Sequence, residues 1–225
     1  MSIQERKERE GERRRQQIIV AARRVFSTKG FNKATMEDIA REAELSPGTI
    51  YLYFKNKDEL YASLSLRILH YLLIRLQHVN SEKIETAEKR YAALTRAMID
   101  VYEFDPLMLI NMFNLQTNET LKTLTPELLS EIKILSCKSI EEIAMIFRNE
   151  DNAQILPEYN PPLLAEIFWS LFSGVVLFQE SKKSVLGEEK VFLKKSLETA
   201  FKIFEHGIKD APLGKQEEKG DGVQA

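Results

Sequence analysis

With 225 residues, 44% hydrophobic and 29% charged, the chain has the composition of a globular protein with a packed core and the length of one large or two small domains. A single cysteine, Cys137, excludes an intrachain disulfide, and His70, His78 and His206 are scattered without metal-ligand spacing, so neither a metal nor another cofactor is expected. The longest apolar run, Ile167 to Phe178, is shorter than the roughly 20 residues of a spanning helix. The Arg- and Glu-rich N-terminus lacks an apolar leader, and the expectation is a cytoplasmic chain without a membrane span.

Charge is unevenly spread. Residues 1–60 carry 13 Lys and Arg against 10 Asp and Glu, whereas the other 165 carry 19 against 24, which points to an anionic partner for the N-terminal part. No glycine falls between Gly48 and Gly174, so the middle of the chain lacks the residue favoured in tight hairpins and the fold class reads as all-α. Helix starts are marked by a capping residue before proline at Ser46-Pro47, Asp105-Pro106, Thr125-Pro126 and Asn160-Pro161.

The first predicted helix runs from about Glu12 to Lys29, with Ile18, Ala22, Val25 and Phe26 on one face and Gly30 as its left-handed terminator. The mixed-charge run through Arg13-Arg14-Arg15 reads as a solvated, partly frayed end of that helix. A short second helix is opened by a capping box between Thr35 and Asp38 and buries Met36, Ile39, Ala40 and Ala43. Ser46-Pro47 starts a third helix ending near Phe54, and Asn56 with Glu59 opens a long fourth helix reaching about His78. Further helical patterns cover about Ile84 to Glu103, Pro106 to Leu115, Pro126 to Asn149, Pro161 to Ser181 and Glu188 to Ile208. The polar tail after Ala211 reads as disordered.

Two short helices joined by a tight turn, the second capped by Ser-Pro, have helix-turn-helix spacing. Placing Ile50 in the core brings Phe54 beside it at i+4 and turns Gly48, Thr49, Tyr51 and Leu52 outward. A helix entering a major groove needs a small residue for close approach, donors for phosphates and base edges, and apolar atoms for thymine methyls; that outward face supplies all three.

The stretches Ala34-Thr35-Met36-Glu37-Asp38-Ile39-Ala40 and Leu45 to Leu60 (LSPGTIYLYFKNKDEL) closely resemble the TetR/AcrR family of bacterial transcriptional regulators. The resemblance is specific over about residues 18–60. It implies an N-terminal three-helix DNA-binding domain over residues 1–60 and a larger all-helical effector-binding and dimerisation domain over 61–210, followed by the tail at 211–225. Position by position, it makes Thr35 and Lys57 phosphate contacts and Thr49, Tyr51 and Tyr53 groove and backbone contacts. Tyr53 also reads as a cover for the small core, since a phenol can do both. Lys57 has independent support, because a cation in the first turn of a helix opposes the macrodipole and is better placed beside a phosphate. Leu52 departs from the polar residue often found at that place in the family; on a groove-facing helix it is expected to pack against a thymine methyl. The candidate DNA-binding set is Thr35, Ser46, Pro47, Gly48, Thr49, Tyr51, Leu52, Tyr53 and Lys57.

Beyond Leu60 the ligand is not inherited from the resemblance. The run at 167–178 is apolar around most of its helix and must be covered on more than one side. With the stripe of the last helix it resembles the family's four-helix dimer interface, and Phe172, Val175, Val176, Leu193, Leu197, Ala200, Phe201 and Phe204 are its candidates. Two recognition helices about 34–36 Å apart would read the halves of a palindrome, so a homodimer is expected. Met98, Tyr102, Met108, Met112, Phe113, Phe147, Phe168, Trp169 and Phe172 are candidates to line an apolar effector cavity, each with plain core as the alternative.

The expected function is repression of a palindromic operator by a homodimer, relieved when a small hydrophobic or aromatic effector shifts the ensemble and moves the recognition helices through the fourth helix. An activator of the same family shares every one of these residues. A sequence-neutral architectural DNA binder would be strongly basic, which this chain is not. No Gly-rich phosphate loop, nucleophile elbow or paired-histidine helix is present, so no enzyme is expected.

Overall fold

A computed structural model describes residues 3–84, 86–117, 121, 124–148, 160–186 and 193–209. Among them the regular structure is helical: α1 Ile3–Lys29, α2 Met36–Glu42, α3 Pro47–Tyr51, α4 Lys57–Ser81, α5 Ala87–Phe104, α6 Pro106–Thr117, α7 Pro126–Phe147, α8 Pro161–Leu186 and α9 Leu193–Lys209. The tail after Ala211, the expected helix end at Asn149 and the expected start at Glu188 lie outside the described residues.

The caps fall where the sequence places them. Thr35 and Asp38 form a complete capping box on α2, Ser46 accepts from the Thr49 amide on α3, and Thr125 accepts from the Leu128 amide on α7. Asn56 caps α4 through the Glu59 amide, but Glu59 reaches one residue further back than a capping box requires, accepting from Lys55 N at 2.6 Å. Gly30 ends α1 with φ 74° as expected. Helix α1 starts at Ile3, well before Glu12, and its leading turns are helical instead of frayed. Side-chain pairs one turn apart support them, Gln4 with Glu8 and Arg13 and Arg14 with Glu10.

The first three helices enclose a small core of Ile18, Ala22, Val25, Phe26, Ile39, Ile50 and Phe54. Helix α4, whose 25 residues span about 37 Å at 1.5 Å per residue, joins this core at Leu60 and continues through Leu69, Leu72, Leu76 and Val79 against α5, α6 and, most extensively, α7. Helix α7 packs on α8, and α8 on α9. One contiguous apolar cluster therefore runs from Ile18 to Phe201.

Helix α8 is longer than the sequence reading allows. Its window Pro161–Lys182 has a mean hydropathy of 1.6 and is long and apolar enough to cross a membrane, so the expectation of no such segment needs correcting by length and composition. In the fold it packs as a core helix along one side, with Leu164, Ala165, Phe168, Phe172 and Val176 buried.

One backbone feature is absent from the sequence reading. Glu44, in the turn between α2 and α3, has φ 54°, a left-handed conformation that crowds any Cβ. The turn uses it to close Leu45 N onto Ala40 O at 2.9 Å, ending α2 before Ser46 opens α3. We expect Glu44→Gly to stabilise the protein by about 0.5–1 kcal/mol, the relief of strain outweighing the entropy glycine adds to the unfolded chain. That corresponds to a rise of about 1–4 °C in thermal midpoint for a chain this size. An unchanged or lower midpoint in calorimetry refutes it.

Candidate nucleic-acid interface

Ile50 and Phe54 are buried, Phe54 beneath the Arg15 guanidinium of α1, and the helical period then decides where the rest of the segment points. Ser46, Pro47, Gly48, Tyr51 and Leu52 are exposed, Thr49 is half-buried, and Tyr53 packs in part against the core. Leu52, at the C-cap of α3, is 83% exposed and Tyr51 50%, an unusual cost for two large side chains on so small a helix. The side anticipated to be open is open.

Gly48 has no internal role. A Cβ built on it meets only Ser46 Oγ at 3.8 Å, and its φ is not in the left-handed region, so neither packing nor backbone strain requires glycine there. Thr49 and Ser46 share a hydroxyl contact of 2.8 Å, which fixes both side chains at the N-terminal edge of α3. Thr35 is exposed at the start of α2. Its Oγ1 accepts from Asp38 N, and its backbone N–H donates to Asp38 Oδ2. Asp38 in turn has its carboxyl held below the usual range, first by the hydrogen bond from Lys29 and also by Thr35.

Lys57 departs from the sequence argument. Its Nζ donates to Phe31 O at 2.7 Å and Ala34 O at 3.1 Å and sits 4.4 Å from the centre of the Phe31 ring. The unfavourable dipole at the start of α4 is therefore offset inside the molecule, by carbonyls of the α1–α2 turn, and no external phosphate is needed to explain the residue. Two of its three protons are engaged by these carbonyls. Phe31 also packs at a tilt on Tyr61, 4.4 Å between centroids, and burial pushes the Tyr61 phenol up to about 12. The sequence carries no mark of this turn, because its carbonyls come from residues without a recognisable motif.

Arg15, last of the arginine run, is likewise internal. Its guanidinium lies 4.9 Å from the Phe54 ring centre, with Nη2 3.4 Å from Ser63 Oγ, so it braces the recognition segment from behind.

The nine effector candidates come together, but as packed core. Met98, Met108, Met112, Phe113, Phe147, Phe168 and Phe172 are buried, with Tyr102 and Trp169 partly so. Phe113, Trp169 and Phe172 form one ring cluster with centroids 5.6–5.9 Å apart. Phe147 and Phe168 form another with Tyr91, Phe201 and Phe204. Tyr91 donates to Phe201 O at 2.7 Å, and burial pushes its phenol upward. An open groove of about 500 Å³ between α5 and α9 is lined by none of the nine; its walls include Arg96, Asp100, Lys194, Glu198 and Lys202.

The interface candidates require a correction. Phe172, Val176, Leu193, Leu197 and Phe201 are buried in their own chain and cannot meet a second one, while Val175, Ala200 and Phe204 are only partly exposed. The apolar residues that do face outward are Leu163, Ile167, Phe178 and Val185 on α8 and Ile203 on α9. Gly174 continues the α8 stripe between Ile167 and Phe178. The spacing i, i+4, i+11, i+15 from Leu163 is visible in the sequence, but the twelve-residue run hides it by being apolar on both sides.

Residues 18–64 match the family model described as bacterial regulatory proteins, tetR family, a span that contains the whole helix-turn-helix and the start of α4. Residues 18–64 are thus a helix-turn-helix segment of the tetR-family kind. Among relatives, an uncharacterized HTH-type transcriptional regulator of Haemophilus influenzae is 40% identical over 62 residues, 28% of this chain and 33% of that one. The fatty acid metabolism regulator protein of Bacillus subtilis is 37% identical over 73 residues, 32% of this chain and 38% of that one. These matches thus span about a third of each relative's length. The regulator YhgD of Bacillus subtilis is 23% identical across 79% of this chain and 90% of its own. FadR of Bacillus halodurans superposes with a TM-score of 0.65 at 19% identity, covering 86% of this chain and 95% of that one. FadR of Bacillus subtilis, in complex with stearoyl-CoA, gives 0.64 at 19%, covering 84% and 96%. The TetR-family likeness beyond residue 64 is therefore one of fold.

Lys57→Met tests the internal account of that lysine. Losing two charge-assisted hydrogen bonds to the α1–α2 turn should destabilise the protein by about 1–2 kcal/mol in urea unfolding without DNA. An unchanged midpoint would mean that water serves those carbonyls equally well.

Proposed function

We propose that this chain is a homodimeric transcriptional repressor that binds a palindromic operator through α2 and α3 and releases it when a small apolar effector enters the helical core. The observation that carries the reading is the outward face of α3: a glycine with no internal reason to be glycine, flanked by exposed Tyr51 and Leu52 and anchored by buried Ile50 and Phe54. Thr35, Ser46, Pro47, Thr49, Tyr53 and the third proton of Lys57 complete the surface as phosphate, sugar and groove contacts. Leu52 reads a thymine methyl.

The partner subunit covers the exposed stripe of α8, Leu163, Ile167, Gly174 and Phe178, together with Ile203 of α9. A helix apolar on two sides needs two covers, and α7 and α9 supply only one. Two-fold pairing also presents two copies of α3 to successive major grooves. The effector is apolar, acyl or aromatic, because the candidate residues are Met and aromatic rings without a cluster of arginines. The complex of Bacillus subtilis FadR with stearoyl-CoA makes that compound the first probe.

Selection of duplexes from a random pool, followed by binding at fixed salt, tests the reading. Gly48→Ala should fold at least as stably as wild type, yet lose about tenfold or more in affinity for the selected duplex, since a methyl forced into a close contact costs about 1–3 kcal/mol. Leu52→Ala should weaken binding to thymine-containing duplex and leave uracil-substituted duplex at one position unaffected. Wild-type affinity in Gly48→Ala would overturn the groove assignment. Separately, Phe178→Glu should sediment as a folded monomer, because a carboxylate in an apolar two-fold interface meets its own copy; a dimer of unchanged stability removes α8 from the interface.

A further inference from the structure

The helix-turn-helix unit is tied to the rest of the molecule at a second place besides α4. Arg23, on the outer side of α1, donates from Nε to Asp105 Oδ2 at 2.6 Å across 82 residues of sequence. The Asp105 carboxylate is buried, while the arginine remains 44% exposed. The other oxygen, Oδ1, accepts from Met108 N at 3.3 Å and so caps the first turn of α6. One carboxylate thus holds the start of α6 and the middle of α1 together.

Its neighbour Phe104 is gripped from α4. The ring stacks on Tyr71 with centroids 4.1 Å apart, and the Arg67 guanidinium lies 5.2 Å from its centre. The α5–α6 corner is therefore held by α1 on one side and α4 on the other. Immediately beyond it, Met108, Leu109, Met112 and Phe113 carry α6 into the aromatic core. A molecule entering that closed core has to displace a packed helix. If α6 moves, Asp105 either draws Arg23 and α1 with it or loses its cation while remaining buried, a strongly unfavourable state. An allosteric element requires two discrete arrangements, and the closed pair supplies one of them.

We propose that the Arg23–Asp105 pair is a latch between α1 and α6, through which displacement of α6 by a ligand in the core changes the orientation of the helix-turn-helix, in parallel with the route along α4. The latched arrangement is the operator-binding one, because two recognition helices must be held in fixed relation to span successive grooves. The latch rests on the DNA-binding reading above and adds to it the route of coupling.

Wild type, Arg23→Gln, Asp105→Asn and the double variant, each as the full chain, are titrated with a duplex that the wild type selects from a random pool. Asparagine still caps α6 through its amide oxygen, and Arg23 is half-exposed, so the variants fold, as melting curves check. Each single variant should lose about fivefold or more in affinity for the duplex, and the double variant should bind no worse than the weaker single one. Bound duplex should also slow amide exchange over residues 106–110 in wild type but not in Arg23→Gln. Additive losses, wild-type affinity in either single variant, or equal duplex-induced protection in wild type and Arg23→Gln overturn the latch and leave DNA binding intact. A wild type that enriches no duplex overturns the DNA-binding reading, and the latch with it.

Discussion

Everything outward-facing in the first sixty residues depends on two side chains that face inward. Ile50 and Phe54, four residues apart, lie on one side of the α3 segment and are buried in the apolar core. Removing either large side chain from such a site typically costs several kcal/mol, so the rotation of α3 about its own axis is fixed by packing and not by any polar contact. Once that rotation is set, Gly48, Tyr51 and Leu52 have nowhere to go but solvent. The Arg15 guanidinium against the Phe54 ring and the strained turn at Glu44 are secondary supports of the same orientation. A recognition surface held this way is rigid before any partner arrives, which lowers the entropy lost on binding.

The same periodicity that makes α3 legible makes α8 hard to read. On α3 the apolar residues occupy one side and the contrast with Gly-Thr-Tyr is sharp. On α8 both sides are apolar, and a twelve-residue run without charge gives no way to tell the chain's own core from a surface meant for something else. Only the packing of α7 and α9 assigns Phe168, Phe172 and Val176 inward, leaving Leu163, Ile167 and Phe178 outside. The starts of α2, α3 and α7 were legible because the capping hydroxyls of Thr35, Ser46 and Thr125 act within three residues of themselves. Contacts that close over long separations were not legible. Lys57 reaching carbonyls 23 and 26 residues away is one, and Arg23 reaching Asp105 is another. Glu44 escaped notice for a different reason: a left-handed residue is signalled by glycine, and here the backbone takes that conformation without one.

Lys57 also separates two arguments that are easily merged. A cation at a helix N-terminus is a local electrostatic liability, and the sequence alone leaves a phosphate as the natural remedy. The fold supplies another remedy in two carbonyl oxygens and an aromatic face. The lysine is therefore explained without DNA, and a role at the phosphate backbone must stand on its remaining proton. Gly48 is the reverse case. No internal contact explains it, so its meaning lies outside the chain, and it carries more functional weight than the charged residue beside it.

A closed aromatic core behind an open recognition face is the state a ligand-released repressor needs in the absence of ligand. Phe113, Trp169 and Phe172 on one side, and Tyr91, Phe147 and Phe168 on the other, fill the space that an apolar effector would take. Entry of such a molecule is then not the filling of a vacancy but the exchange of ring–ring contacts for ring–ligand contacts, with helices moved apart to make room. Close-packed interiors transmit a displacement of that kind instead of absorbing it. Of the helices lining the core, α6 is short, begins at a corner clamped by Phe104 and Asp105, and is joined to α1 by a buried carboxylate. Helix α4, by contrast, is packed against α7. The cost of opening the core and the means of reporting it are thus found in one place, where α6 begins.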